Sequence, residues 1–288
     1  MRSPASSSIA RAKYAVEVLP DVPATCSTRT ASCGEPMDRR KAASRSRLYP
    51  PREELVLATN RSSSACASSR EVTMPAPVLS VAMKESTIGS WLADLGDRTP
   101  TPGGGGAAAL LAATGASLVG MVSSYTTGGK WSDREEDMLK VKAEADLLRD
   151  QALALADADA DAFAAVGSAY GLPRGTDEEK AARRAAVQAA LKGAAQPPVD
   201  TGGVATRVVE LAEDLVERGN PNVVSDVAVA ASSAAAALES AIVNIEINAG
   251  SIKDTAVVDG LRAEVDKLTG SIERARRVVE RVREGLRG

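Results

Sequence analysis

The stretch Thr99-Pro100-Thr101-Pro102-Gly103-Gly104-Gly105-Gly106 constrains this chain more than any other. Two prolines stiffen the approach and disfavour helix immediately before them. Four glycines then strip the backbone of side chains, and Ala107-Ala108-Ala109-Leu110-Leu111 opens a strong helix directly after them. A helix start of this kind exposes N–H groups that have no intrahelical partner. These favour anionic or electron-rich ligand atoms, and the bare backbone lets a ligand come close. A flexible hinge is the commoner use of a glycine run, but Pro-x-Pro is a stiff partner for a hinge. The stretch is neither of the familiar phosphate loops. A Walker loop ends in Gly-Lys-Ser/Thr, whereas Ala107 follows the last glycine here. The dinucleotide fingerprint follows a strand, whereas Trp91 to Arg98 reads as helix. Pro102, Gly103, Gly104 and Gly105 are therefore candidate binding residues.

The text around this junction is helical. Aromatic residues make up only 2% of the chain, so its apolar content is mostly Ala, Val and Leu, which suits close-packed helices better than a sheet. A short helix is expected over Ile88 to Asp97, and a second from Gly105 to about Tyr125. Ser132-Asp133-Arg134-Glu135 reads as a capping box for a third, which runs to Tyr170 and stops at Gly171 and Pro173. Thr176-Asp177-Glu178-Glu179 is a second capping box, for a helix to about Lys192. Pro197-Pro198 start a fifth helix, ending near Gly219. Asn222 is read as the cap of a long apolar helix ending near Asn248 or Gly250. The last helix spans Asp254 to about Leu286. In it Leu261, Val265, Leu268, Ile272, Ala275, Val279, Val282 and Leu286 step by four and three, the spacing of a bundle seam. Residues 83–288 thus read as one all-α domain, an antiparallel bundle of long helices. Its broad Ala-rich faces predict a homodimer through helices that include the last.

Residues 1–82 read differently. They are rich in Ser, Arg and Pro without apolar periodicity, and carry 12 Lys/Arg against 7 Asp/Glu together with all three cysteines, Cys26, Cys33 and Cys66. The expectation is a disordered leader, or a translation start assigned too early with Met83 as the natural one. Its scattered basic residues lack interleaved aromatics and give no support for nucleic-acid binding. No uninterrupted apolar run reaches membrane-spanning length, and a cytoplasmic protein without a membrane partner is expected. Histidine is absent from all 288 residues, which eliminates Ser-His-Asp and Cys-His catalysis and every His-ligated metal site. Proton transfer then falls to carboxylates, Lys, Tyr, Cys or water.

Two helices carry polar residues where apolar ones are due. In the third, Met138, Val141, Ala145, Leu148, Ala152, Leu155, Asp159, Phe163, Val166 and Tyr170 form one stripe of core-facing period. Asp159 interrupts it, and a carboxylate on a buried stripe is costly unless paired or used. Its neighbours Asp157 and Asp161 fall on the opposite face and read as solvated. In the sixth, Asp226, Ala230, Ser233, Ala237, Ser240, Asn244 and Asn248 share one row on an otherwise apolar helix. Close packing through small residues explains the serines. A wall lining a polar pocket explains Asp226, Asn244 and Asn248 as well. In the loop Gly128-Gly129-Lys130-Trp131, Lys130 is a candidate anion anchor.

With these pieces in place, residues 86–254 resemble the cyclodeaminase/cyclohydrolase family, which includes the C-terminal domain of formiminotransferase-cyclodeaminase and the bacterial methenyltetrahydrofolate cyclohydrolases. The resemblance rests on Thr99–Gly106, Gly129-Lys130, Asp157–Phe163, Leu172-Pro173-Arg174 with Thr176 and Glu179-Lys180, Gly219-Asn220-Pro221-Asn222 with Ser225-Asp226, and Asn244 with Asn248. It implies a dimeric all-α bundle acting on one-carbon forms of tetrahydrofolate, with no metal and no tightly bound cofactor. It also implies Asp159 and Asp226 as the catalytic acid–base pair. Pro102, Gly103, Gly104, Gly105, Lys130, Asn222, Ser225, Asn244 and Asn248 would then be substrate contacts. With no formiminotransferase domain in residues 1–82, hydrolysis of 5,10-methenyltetrahydrofolate to 10-formyltetrahydrofolate is expected. Formiminotetrahydrofolate cyclodeaminase and a non-catalytic folate- or protein-binding dimer are the alternatives. The chain departs from the family in having Gly129-Lys130 where two basic residues are common, and in Ala249–Asp254 after Asn248.

Overall fold

The computed structural model describes residues 82–287, so the expectations for the leader lie outside the described residues. Seven α-helices follow one another: α1 (Ile88–Leu95), α2 (Gly104–Ser124), α3 (Glu135–Tyr170), α4 (Asp177–Ala194), α5 (Gln196–Arg218), α6 (Val224–Ala249) and α7 (Thr255–Arg287). Single 3-10 turns stand at Met83–Glu85, Gly129–Trp131 and Pro221–Val223. Among the described residues no strand forms.

The helix starts follow local chemistry, with two corrections. Thr176 and Glu179 form the expected capping box, with Glu179 N donating to Thr176 Oγ1 at 3.2 Å and Thr176 N to Glu179 Oε2 at 3.1 Å. The box expected at Ser132 does not form. Gly129–Trp131 coils into a 3-10 turn entered through Gly128 and Gly129 at positive φ, and α3 begins only at Glu135. Nor does Asn222 cap α6. Asn220 takes the organising role: its side-chain oxygen accepts from Asn222 N at 3.0 Å, and its Nδ2 donates to Tyr125 O at 2.8 Å. Its own N–H reaches the buried Thr126 Oγ1 at 3.0 Å, so this one residue ties the start of α6 to the end of α2. Replacing Asn220 by Ala removes two of these bonds and is expected to cost about 1–2 kcal/mol. Urea denaturation with an unmoved midpoint would overturn that assignment.

α2 is the axis of the bundle, packed against α3, α5 and α6. Its interior is alanine, glycine and valine, which allows close approach. A Cβ on Gly115 would lie 3.1 Å from Ala230 O, 3.1 Å from Val208 Cγ1 and 3.6 Å from Ala234 N. That contact, together with the Asn220 ties, sets α2 and α6 antiparallel. α3 also runs antiparallel to α2, because Gly120 abuts Lys142 and Ala145 while Gly105 abuts Asp159. In this register the start of α2 is level with about residue 160 of α3, so the last ten residues of α3 project past it. Phe163 and Tyr170, expected in the core, are therefore exposed.

The α7 seam is filled within the chain. Leu261, Leu268, Ile272, Ala275 and Val282 are buried in the core, where α7 lies along α5 and α6. Only Leu286, beyond the end of that packing, is open, at 66% exposure. The bundle seam is thus used inside the chain. By length and mean composition α2, and α6 with the turn before it, are also apolar enough to cross a membrane, although neither is an uninterrupted apolar run. In the bundle 61% of the α2 window is buried but only 39% of the α6 window, which leaves α6 with a free outer face.

Candidate active site at the start of α2

The glycine run does what its composition implies and one thing more. Gly103 is extended and provides no side-chain cap, so the N–H groups of Gly104 and Gly105 point out of the helix, while that of Gly106 turns to Asp159. A Cβ on Gly103 or Gly104 would meet nothing within 4 Å, which leaves this backbone open to a ligand. Gly105 differs. A Cβ there would fall 2.2 Å from Asp159 Oδ1 and 2.3 Å from its Cγ, so the missing side chain is the room in which the Asp159 carboxyl sits. Gly105 is thus a seat for Asp159, where sequence reading made it a ligand contact. Gly106 is buried, with Trp91 Cζ2 3.5 Å from where its Cβ would stand and Pro102 Cβ at 3.9 Å.

Burial raises the pKa of Asp159 above the ordinary 3.8, and the backbone N–H of Gly106 partly offsets this by favouring the charged form. A carboxyl so placed is shifted toward the range in which it can exchange a proton with substrate. Asp157 is not the solvated bystander expected, since it accepts the Met83 N–H at 2.9 Å. Met83 in turn packs with Trp91, Ala109 and Ala156 as a small second core beneath the glycine turn. Sequence reading missed this support altogether, because Trp91 stands on a short helix whose partners lie far along the chain. Asp161 is exposed, as expected.

The remaining candidates divide between the two ends of α2. Asn244 and Asn248 lie toward the Gly103 end, with their amides occupied: Asn244 Nδ2 donates to Ser240 O at 2.9 Å, and Asn248 Nδ2 to Ala194 O at 2.9 Å. Asn248 is thus a strut from α6 to the end of α4. Asn222, Ser225, Asp226 and Lys130 lie at the opposite end. Asn222 and Ser225 are exposed and Asp226 is half-buried. Lys130 is exposed with its ammonium 4.7 Å from the ring centre of Trp131, and the Arg134 guanidinium is 5.4 Å from the same ring. Taking the register set by Gly115, Asp226 stands level with Met121, sixteen residues along α2 from Gly105. At 1.5 Å per residue this separates Asp226 from Asp159 by roughly 24 Å within one chain. They do not meet as the expected pair.

Two cavities lie elsewhere, one of ≈ 470 Å³ between α3, α5 and α7, the other of ≈ 460 Å³ between α6 and α7. Neither is lined by Asp159 or Asp226. The start of α2 is instead an open surface, bounded by the projecting end of α3.

Substitution at the two adjacent glycines separates their roles. Gly104→Val is expected to raise KM several-fold without lowering the melting temperature, because its side chain enters free space where a ligand would sit. Gly105→Ala must displace the Asp159 carboxyl and is expected to cut kcat by about 100-fold, the scale of lost acid–base catalysis. Steady-state kinetics and calorimetry check both. Equal behaviour of the two variants would remove the seat assigned to Gly105.

The helical bundle presents a half-buried carboxyl against the bare, glycine-lined start of its central helix. The chain belongs to the formiminotransferase-cyclodeaminase family, whose model matches residues 87–267. It is 42% identical over 202 residues to the methenyltetrahydrofolate cyclohydrolase of Methylorubrum extorquens, covering 70% of this chain and 96% of that one. It is 30% identical over 185 residues to the formimidoyltransferase-cyclodeaminase of Rattus norvegicus, of whose length it spans only 34%. The crystal structure of formiminotetrahydrofolate cyclodeaminase from Thermotoga maritima superposes with a TM-score of 0.64 at 28% identity, covering 71% of this chain and 99% of that one.

Proposed function

We propose that this chain hydrolyses 5,10-methenyltetrahydrofolate to 10-formyltetrahydrofolate. The observation that carries the reading is the Asp159 carboxyl seated against Gly105, its pKa raised by burial, beside free backbone N–H groups. The choice of hydrolysis over deamination is supported by the near full-length match to a cyclohydrolase. In the reaction, water oxygen adds to the electrophilic amidinium carbon and its proton passes to a carboxylate. The N5–carbon bond of the tetrahedral adduct then breaks as N5 is protonated, leaving the formyl group on N10 and releasing one net proton. A carboxyl whose pKa is raised by burial, working with a second carboxylate, suits these two transfers. The N–H groups at the start of α2 would stabilise negative charge developing on the adduct oxygen.

The second carboxylate comes from a second copy of the chain. α6 turns Val229, Val243 and Ile247 outward, all at least half exposed, and Leu111, Leu118 and Met121 of the neighbouring α2 are only partly buried. A two-fold axis crossing the middle of α2 covers this apolar face with its own copy. The same operation sets the start of one α2 against the end of its partner's, so that Asp159 of each subunit approaches the Asp226 and Lys130 end of the other. A tetrahydrofolate derivative binds across that junction as substrate, with no further cofactor. Loss of the methenyl chromophore on mixing the purified protein with 5,10-methenyltetrahydrofolate tests the reading. Ammonia release from 5-formiminotetrahydrofolate without that loss would instead assign the cyclodeaminase reaction.

A further inference from the structure

The one phenylalanine of the chain is not in the core. Phe163 is 55% exposed and belongs to neither hydrophobic cluster. It follows Asp159 by one helical turn on the same face of α3, beyond the start of α2. In the register set by Gly105 against Asp159 it lies on the side of Gly103 and Gly104, the two glycines whose missing side chains have no neighbour, and its Cα–Cβ bond tilts back toward Asp159. Exposing a large aromatic is an unfavourable use of a residue the chain otherwise hardly employs. The other aromatics near this end are committed: Trp91 is buried beneath Gly106, and Tyr170 carries the Arg183 guanidinium over its ring at 5.5 Å.

We infer that Phe163 is the stacking platform for the flat bicyclic ring of the substrate, and that it determines affinity for pterin-type ligands at this site. The inference rests on the folate reading above and adds its specificity element. A planar heteroaromatic laid on Phe163 faces the glycine backbone and brings its bridging carbon toward the carboxyl one turn away. Stacking acts on substrate and transition state alike, so it sets binding and not turnover.

The test uses the full chain and its Phe163→Leu and Phe163→Trp variants. Equilibrium binding of tetrahydrofolate, which lacks the reactive carbon, is measured beside steady-state hydrolysis of 5,10-methenyltetrahydrofolate. Phe163→Leu is expected to weaken binding about tenfold and to raise KM in parallel, with kcat within about twofold, and Phe163→Trp to restore both. Unchanged binding in Phe163→Leu overturns the proposal. So does weakened binding that accompanies a lower melting temperature or a smaller particle in sedimentation, because Phe163 is then a packing or subunit contact. Hydrolysis by the wild type with unaffected Phe163→Leu binding removes the platform and leaves the folate reading standing. Tetrahydrofolate binding weakened by Phe163→Leu, in a wild type that hydrolyses nothing, removes the hydrolase reading and leaves the platform.

Discussion

Replacing Asp159 by Asn is expected to lower turnover of 5,10-methenyltetrahydrofolate by roughly 100-fold or more, the usual cost of deleting a positioned acid or base. Folate binding should persist, because Asn keeps the shape of the group that fills the gap at Gly105. Asp161→Asn is the proper control, being exposed two residues away. Asp157→Asn is a poorer one, since Asp157 also accepts the Met83 N–H that ties the small second core to α3. Stability should respond in a defined direction. The folded-state pKa of Asp159 is raised by burial, so the native state binds this proton more tightly than the unfolded chain does. The associated stability is present below the ordinary value of 3.8 and is lost as pH climbs through the raised one. Asp159→Asn carries no such loss, and its melting temperature should rise relative to wild type from acid toward neutral pH. A relative fall over that interval would mean that the carboxylate is held by a partner that favours its charge.

Mixing two inactive variants should restore activity. If each site takes Asp159 from one subunit and Asp226 from the other, Asp159→Asn and Asp226→Asn homodimers are both dead. A mixed dimer holds one site with both substitutions and one with neither. Random exchange of equal amounts then gives about a quarter of the wild-type activity, by the symmetry of a two-fold assembly. This is a rise of more than an order of magnitude over either parent and needs no assumption about mechanism. Absence of recovery after exchange has been verified by mass would show that each chain's site is complete by itself. The roughly 24 Å between the two carboxylates along α2 makes that outcome difficult to reconcile with a catalytic pair.

Much of the bundle was legible before any coordinates. The 3.6-residue apolar period, the Thr176 capping box and the proline and glycine punctuation locate the helices to within a few residues, because these are local energies of backbone and near neighbours. Asp159 was legible for a similar reason, as a charge on a stripe that has no other. The failures have physical causes of one kind. Ser132 and Asn222 have the residue types of caps, but the adjoining turns bend the chain so that neither side chain meets a helix start. The α7 seam has the period of a subunit contact, yet α5 and α6 of the same chain fill it. Periodicity shows that a face is covered without showing by what.

What the sequence by itself determined is the set of helices, the bare backbone at the start of α2 and the exclusion of histidine chemistry in a chain without that residue. Those follow from residue identity and spacing of a few positions. Only the tertiary structure decided that Gly105 makes room for Asp159, that α3 outruns α2 and leaves Phe163 exposed, and that Asp226 stands at the far end of the bundle. These depend on the register between antiparallel helices. Register is set by contacts such as Gly115 against Ala230, between residues more than a hundred positions apart, and so has no local signature in the sequence.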